Sequence, residues 1–292
     1  MFRFDALETD FALACGRTRV RFDGDPDRPA IVLIHGATVP HWEFDGLTPL
    51  LCRAGLRVVR YDLLGHGESA RPRRRYGHEL FVEQACLVFE RAALDPRRTA
   101  VLGHSMGAAV AASLAARVGP AMLVLMAPML DFSSANPFPR VLSIPGVGEL
   151  FMATVGRQVL TRRRFRRYRA IGQPELARRF VEQGRRPGFW RALASMERNG
   201  ALADQTRAYR SAAAAGIRPL IVHGTTDAII PTSDVDRIGA LFAHHERVDL
   251  EGLEHNLMLT DPERVAAAIS GHLAVSGLID EVRPVVRPSS AA

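Results

Sequence analysis

Lysine is absent from the 292-residue chain: the 38 Lys+Arg residues are all arginine, against 31 Asp+Glu, for a formal net charge of +7. A basic set of one residue type reflects a GC-rich coding bias as much as selection for a polyanion, so the total is not by itself a nucleic-acid signal. Cysteine is scarce too. Cys15, Cys52 and Cys86 are odd in number and lack C-x-x-C spacing, which argues against a disulfide framework or a cysteine metal site; they read as small buried hydrophobes. No apolar run reaches the roughly eighteen residues of a membrane span. The opening stretch MFRFDALETDFALACGRTRVRF carries acids where a signal peptide would have an uninterrupted apolar core, so the expected location is the cytoplasm. The ten histidines show no H-E-x-x-H or comparable spacing, and the adjacent His244 and His245 read as a solvated helix end, which speaks against a metal site. PGVGEL (145–150) lacks the third glycine and the preceding strand of a phosphate loop. No internal repeat is present.

What the chain does hold is an alternation. Short apolar runs bounded by turn residues read as strands: FALAC and RVRF near the start, then AIVLIHG (30–36), LRVVRYD (56–62), TAVLGHS (99–105), AMLVLMAP (121–128), RPLIVHG (218–224) and ERVDLEG (246–252). Helical patterns lie between them, at about 42–54, 78–94, 106–117, 233–243 and 262–275. Asp261 can cap the last of these and Pro262 can occupy its first position. Alternation of this kind predicts an α/β fold, a mostly parallel sheet flanked by helices.

The pattern breaks between about 129 and 210, where Pro- and Ser-rich sequence leads into Arg-rich, helix-prone segments. Residues 130–210 hold 16 Arg against 6 acids, net +10, and the remainder of the chain is net −3. The basicity belongs to this one segment, which reads as a helical insertion lying over the sheet. The expected division is a core of 1–128 and 211–278, an inserted unit of 129–210, and a disordered tail of 279–292.

Gly103-His104-Ser105-Met106-Gly107 spells G-x-S-x-G. Chance supplies that pentapeptide in roughly one chain in ten of this composition, so its setting has to carry the argument. Ser105 follows a predicted strand and opens an Ala-rich helix, the strand-turn-helix context that exposes a nucleophilic serine. The helix N-terminus aims free N–H groups at charge developing there. A serine hydroxyl needs a base, and the base an orienting carboxylate. Asp227 lies in the loop after one later strand and His255 in the loop after the next. Parallel strands end on one edge, so the three loops can converge.

These landmarks, with LIHGATVPHW, YDLLGHGES, HGTTDAIIP and GLEHNLMLTDPERV, resemble the α/β-hydrolase family over about 10–275. The resemblance implies an eight-stranded sheet with the 129–210 insertion, after strand six, as a helical cap or lid. It implies Ser105 as nucleophile, His255 as general base and then acid, and Asp227 orienting the imidazole. It places the oxyanion hole at the N–H groups of Ala37 and Met106. HGA with GHSM looks most like the monoacylglycerol-lipase and serine esterase branch. A serine elbow speaks against haloalkane dehalogenases and epoxide hydrolases, whose elbow carries Asp.

The expected function is therefore cleavage of a carboxylic ester or thioester through acyl-Ser105, with no cofactor and no metal. Alternatives on the same triad are C–C bond hydrolysis and cofactor-free haloperoxidase or perhydrolase chemistry. From another class comes a non-catalytic small-molecule binding module. Two departures stand out: Ala108 replaces a frequent third glycine, and Glu254 would raise the His255 pKa if it faced the ring. Asp131, after strand six, is the alternative carboxylate. His35, His66 and His104 are expected as hydrogen-bonding scaffold. His41, Trp42 and Trp190 are weak substrate-binding candidates, along with the cap residues Phe138, Leu142, Phe151 and Met152.

For RRRFRRYR (162–169) the plain reading is a solvated face. Steering of an anionic substrate and weak docking on an anionic membrane surface are the other two. A nucleic-acid partner is not expected, since Phe165 and Tyr168 are too few for a stacking platform. Nothing specifies an oligomeric state.

Overall fold

The computed structural model describes residues 6–133, 139–142 and 144–279. Eight strands form one sheet: β1 (Leu7–Leu13), β2 (Gly16–Asp23), β3 (Ala30–Ile34), β4 (Arg57–Tyr61), β5 (Thr99–His104), β6 (Met122–Met126), β7 (Leu220–Gly224) and β8 (Glu246–Leu250). Their spatial order is β1-β2-β4-β3-β5-β6-β7-β8, antiparallel at β1/β2 and β2/β4 and parallel from β4 onward. Each apolar run supplies one strand, so the α/β expectation holds. β1 starts earlier than FALAC suggested, since its pairing with β2 begins at Leu7 and Phe22, and it ends at Leu13, which pairs with Gly16 and leaves Ala14 and Cys15 as the hairpin turn.

Alternation along the strands divides the core between the two faces. Val32 and Ile34 join Val59, Val101 and Leu123 on one side, whereas Ile31 and Leu33 join Val58, Leu102 and Val124 on the other. The first face is covered by α2 (His78–Arg91) and α3 (Met106–Val118), the second by α1 (Thr48–Arg53) and by α12 (Pro262–Val275), which Asp261 caps through the Arg264 N–H. The alanines of α3 are small enough to let it lie close on the sheet, with Ala108, Ala109, Ala111 and Ala112 fully buried. The helix expected at 42–54 is two pieces, a 3-10 turn (His41–Phe44) and α1. Pro49 has no N–H to extend the earlier turn and sits at the start of the new helix instead.

Between β6 and β7 the chain forms α4 (Pro139–Leu142), α5 (Val147–Phe151), a π-turn (Met152–Gly156), α6 (Arg157–Ala170), α7 (Pro174–Arg185) and α8 (Phe189–Arg198). These helices rest on the loops that follow β3 and β4. Gln183 donates to the Thr38 carbonyl, Phe189 stacks edge-on against His66 at 5.8 Å, and the Tyr76 N–H donates to Ser195. α9 (Thr206–Ala214), which holds residue 210, packs on α3 beside the sheet. A 3-10 turn (Pro96–Arg98) before β5, α10 (Thr232–Gly239) and α11 (Leu257–Thr260) complete the described elements. Phe138 and, apart from Ile279, the expected tail lie outside the described residues. No helix among those described is long and apolar enough to cross a membrane.

Candidate active site

Ser105 stands between β5 and α3 with φ +55° and ψ −118°, a conformation that L side chains seldom adopt. The join is made tight by glycine on both sides. A Cβ on Gly103 would lie 2.1 Å from the Gly107 carbonyl oxygen, and one on Gly107 would lie 2.3 Å from that of Ile34. Backbone strain at Ser105 is held by neighbours: its N–H donates to the Met126 carbonyl, and its own carbonyl accepts from Met129. The side chain is thereby presented at the sheet's C-terminal edge.

His255, after β8, sits 2.8 Å through Nδ1 from Asp227 Oδ2. The side chain of Asp227, after β7, is fully buried, and its other oxygen accepts from the N–H groups of Ile229 and Ile230. Burial pushes the Asp227 carboxyl pKa up, but the His255 hydrogen bond and these N–H groups outweigh it and hold the acid below its ordinary range. Burial dominates at His255, taking it down to about 4 against the upward pull of Asp227; His104 and Arg164 push in the same direction as burial. The imidazole is thus neutral at pH 7, with Nδ1–H directed at Asp227.

No hydrogen bond joins Ser105 Oγ to His255. The two are linked through His104, whose Nε2 lies 3.1 Å from the His255 carbonyl oxygen, with ring centroids 4.9 Å apart. Asp131 is not the partner of His255; it stands near Glu197, whose carboxyl pKa is raised by burial and, more weakly, by Asp131. Glu254 does not face the ring. It forms an ion pair with Arg167, and the rise in pKa that its position suggested is absent because burial sets His255.

The loop after β3 is held at several of its polar atoms. Gly36 lies against Ser105, since a Cβ on it would be 3.4 Å from the Ser105 Cβ. Its N–H donates to Glu43 Oε1 at 3.1 Å, and its carbonyl accepts from His35 Nδ1 at 2.7 Å. His66 Nε2 donates to the Ala37 carbonyl at 2.8 Å. The Ala37 N–H has no acceptor among the described residues, and neither has that of Met106, the first residue of α3. Burial lowers His66 to about 4 and takes His35 well below its usual value, so both act as neutral hydrogen-bonding groups. His35 and His66 thus tie neighbouring loops together, as His104 does through Glu43 and the His255 carbonyl.

The weaker candidates fall elsewhere. His41 is tied through its N–H and Nδ1 to Asp62, whose pKa is held far below the carboxylate range: burial raises it, but His41 and the Glu68 N–H prevail. Trp42 packs edge-on to Tyr168, under Arg179, while Trp190 donates to the Gly184 carbonyl and stacks on Phe189. Leu142, Phe151 and Met152 pack into the core cluster. A groove of about 810 Å³ lined by Asp204, Arg207, Arg210 and Arg237 brings none of the candidate site residues together. No group of three or more His, Cys, Asp or Glu that could hold a metal occurs among the described residues.

Sequence reasoning passed over Glu43, Thr38 and Gln183, and took Tyr168 only as an aromatic within the Arg run. No spacing marks them: Gln183 reaches Thr38 across 145 positions. Only their place inside LIHGATVPHWEF and the inserted segment could have drawn attention.

Known proteins share parts of this sequence and this fold. Probable oxidoreductase EphD of Mycobacterium tuberculosis is 44% identical over 57 residues, 20% of this chain, and the chain spans about a tenth of the length of that relative. AB hydrolase superfamily protein YisY of Bacillus subtilis is 24% identical over 254 residues, 82% of this chain and 90% of YisY. The solved structure of haloalkane dehalogenase DbeA from Bradyrhizobium elkani superposes with a TM-score of 0.76 at 19% identity, covering 94% of this chain and 99% of that one. At that identity the likeness is one of fold. The model described as "Alpha/beta hydrolase family" matches residues 31–268, a stretch that holds Ser105, Asp227, His255 and, but for Ala30 of β3, all the parallel strands, and the chain therefore belongs to the alpha/beta hydrolase family.

Proposed function

We propose that the protein hydrolyses a carboxylic ester or thioester, with Ser105 as nucleophile, His255 as base and Asp227 as orienting carboxylate. The observation that carries the reading is the pairing of a strained elbow at Ser105, φ +55°, with a neutral His255 whose Nδ1 is bonded to buried Asp227. Nδ1–H bound to Asp227 leaves Nε2 as the free lone pair, the tautomer a general base requires.

In the first step Nε2 takes the Ser105 proton as Oγ attacks the acyl carbon. The carbonyl oxygen gains negative charge between the Ala37 and Met106 N–H groups, which have no competing acceptor among the described residues. The imidazolium, steadied by Asp227, then protonates the leaving alcohol or thiol, and acyl-Ser105 remains. Water repeats the sequence and releases the acid. Helices within 129–210 would serve as the lid over this chemistry. Ser105 also separates the chain from the chemistry named for DbeA, given the Asp elbow of dehalogenases.

A fluorophosphonate should label the protein once, and Ser105→Ala should abolish labelling and lower kcat by about 10⁴-fold or more on any ester turned over. Labelling that persists in Ser105→Ala would overturn the assignment. Ligand binding with no turnover of esters or thioesters would favour the binding-module reading.

A further inference from the structure

The arginines of the inserted helices are not equivalent. On α6 and α7, Arg164, Arg167 and Arg179 are half-buried and turned toward the body, whereas Arg162, Arg163, Arg166 and Arg178 are exposed. Arg167 is neutralised by Glu254. Arg179 is neutralised by Asp45 and lies over the Trp42 ring at 4.8 Å. Arg164 has no carboxylate within ion-pair distance among the described residues. It meets neutral hydroxyls instead: Nη2 donates to Thr38 Oγ1 at 2.7 Å, and the guanidinium also faces the Tyr168 oxygen. Thr38 directly follows Ala37 in the loop against Ser105, and its carbonyl is pinned by Gln183.

A second group points to the same place. Tyr168, one turn along α6 from Arg164, is fully buried beside it, and its hydroxyl proton has no acceptor among the described residues. Arg164 also lies close enough to His255 for its charge to help depress that pKa. A partly desolvated guanidinium without a counter-ion and a buried O–H without an acceptor are each costly, and one anion would satisfy both.

We infer that Arg164, with Tyr168 and Thr38, forms an anion subsite beside the catalytic centre, and that the substrate is an ester or thioester bearing a second, anionic group, a carboxylate by its fit to a guanidinium fork. The hydroxyl of Thr38, accepting from Arg164, keeps its own proton to donate. The subsite's place in hydrolysis rests on the acyl-transfer reading, but its capacity to bind a carboxylate does not. It reassigns one member of the Arg run: Arg164 reads substrate, and its exposed neighbours stay solvated.

The test separates the two readings. Ser105→Ala protein is titrated calorimetrically with monomethyl glutarate and with neutral dimethyl glutarate. Adding Arg164→Gln, which keeps a donor for Thr38 but removes the charge, should weaken monomethyl glutarate on the order of tenfold relative to the diester, with the difference fading at high salt. Arg163→Gln on the exposed side of α6 should leave that ratio within about twofold. In the otherwise wild-type enzyme, 4-nitrophenyl hemiglutarate, the butyryl ester of 4-hydroxybenzoate and 4-nitrophenyl butyrate are compared. A preference for the first places the anion on the acyl side, and for the second on the leaving group; Arg164→Gln should erase it, chiefly through KM. If Arg164→Gln lowers binding of the charged and neutral glutarates equally, Arg164 is only a latch between α6 and Thr38 and the inference fails. If binding discriminates but no ester is cleaved, the subsite stands and the hydrolase reading fails.

Discussion

Glu43 and His104 meet inside the wall of the site: Oε1 lies 3.0 Å from Nδ1, with each side chain about 2% exposed. The same oxygen accepts the Gly36 N–H, and the other ring nitrogen of His104, Nε2, reaches the His255 carbonyl. One carboxylate therefore braces both the loop beside Ser105 and the loop that carries His255, though it touches neither the Ser105 hydroxyl nor the His255 ring.

Replacing Glu43 with leucine should leave the Gly36 N–H and His104 Nδ1 buried without partners, costing about 2–4 kcal/mol in urea unfolding. Turnover should fall as well, because His104, which anchors the His255 main chain, loses its own support. Glu43→Gln, which retains an acceptor, should recover most of the stability. A Glu43→Leu protein with an unchanged urea midpoint would show that the brace is dispensable.

The pH response follows from His255 and His66, each lowered by burial to about 4. A depressed histidine pKa means that the unfolded chain takes up protons, around its ordinary value of about 6.5, before the folded chain does. Stability from these groups is fully present above about pH 6.5 and is lost as pH falls toward 4. Urea midpoints should decline between pH 7 and pH 5, well above the range in which carboxylates titrate. On the kinetic side, kcat/KM should stay flat from pH 8 down to about 5 and drop only as His255 Nε2 takes a proton near 4, provided that the fold persists. An acid limb centred near 6.5 would contradict the burial of His255.

Gly103→Ala and Gly119→Ala offer a contrast in kind. At Gly103 the new methyl would meet the Gly107 oxygen at 2.1 Å and the Ala108 Cα at 2.6 Å, backbone that cannot step aside. At Gly119, φ +60°, nothing lies within 4 Å. The first should cost about 3 kcal/mol and displace the elbow, abolishing fluorophosphonate labelling. The second should cost about 1 kcal/mol, the left-handed penalty alone, and leave labelling intact. Thermal melts of the two proteins would rank them.

The strands were legible because burial on both faces forces uninterrupted Val, Ile and Leu in runs such as Ala30–Ile34. The elbow was legible because two glycines must flank a serine where strand and helix nearly touch. His255 and Asp227 were reachable by topology: loops after parallel strands share an edge. The split of the helix expected at 42–54 turned on Pro49, whose effect on the backbone is local, but the direction taken by Glu43 is not.

By itself the chain determined its sheet, its elbow and the order in which Ser105, Asp227 and His255 come to one edge, since each depends on local periodicity or on a close backbone approach. Tertiary structure decided which charges were answered. It turned Glu254 away from His255 and onto Arg167, set Glu43 behind Gly36 and His104, and left Arg164 beside Thr38 with no carboxylate among the described residues. Ion pairing and desolvation depend on what lies within a few ångströms in space, and for these side chains the partners stand 7 to 126 positions away.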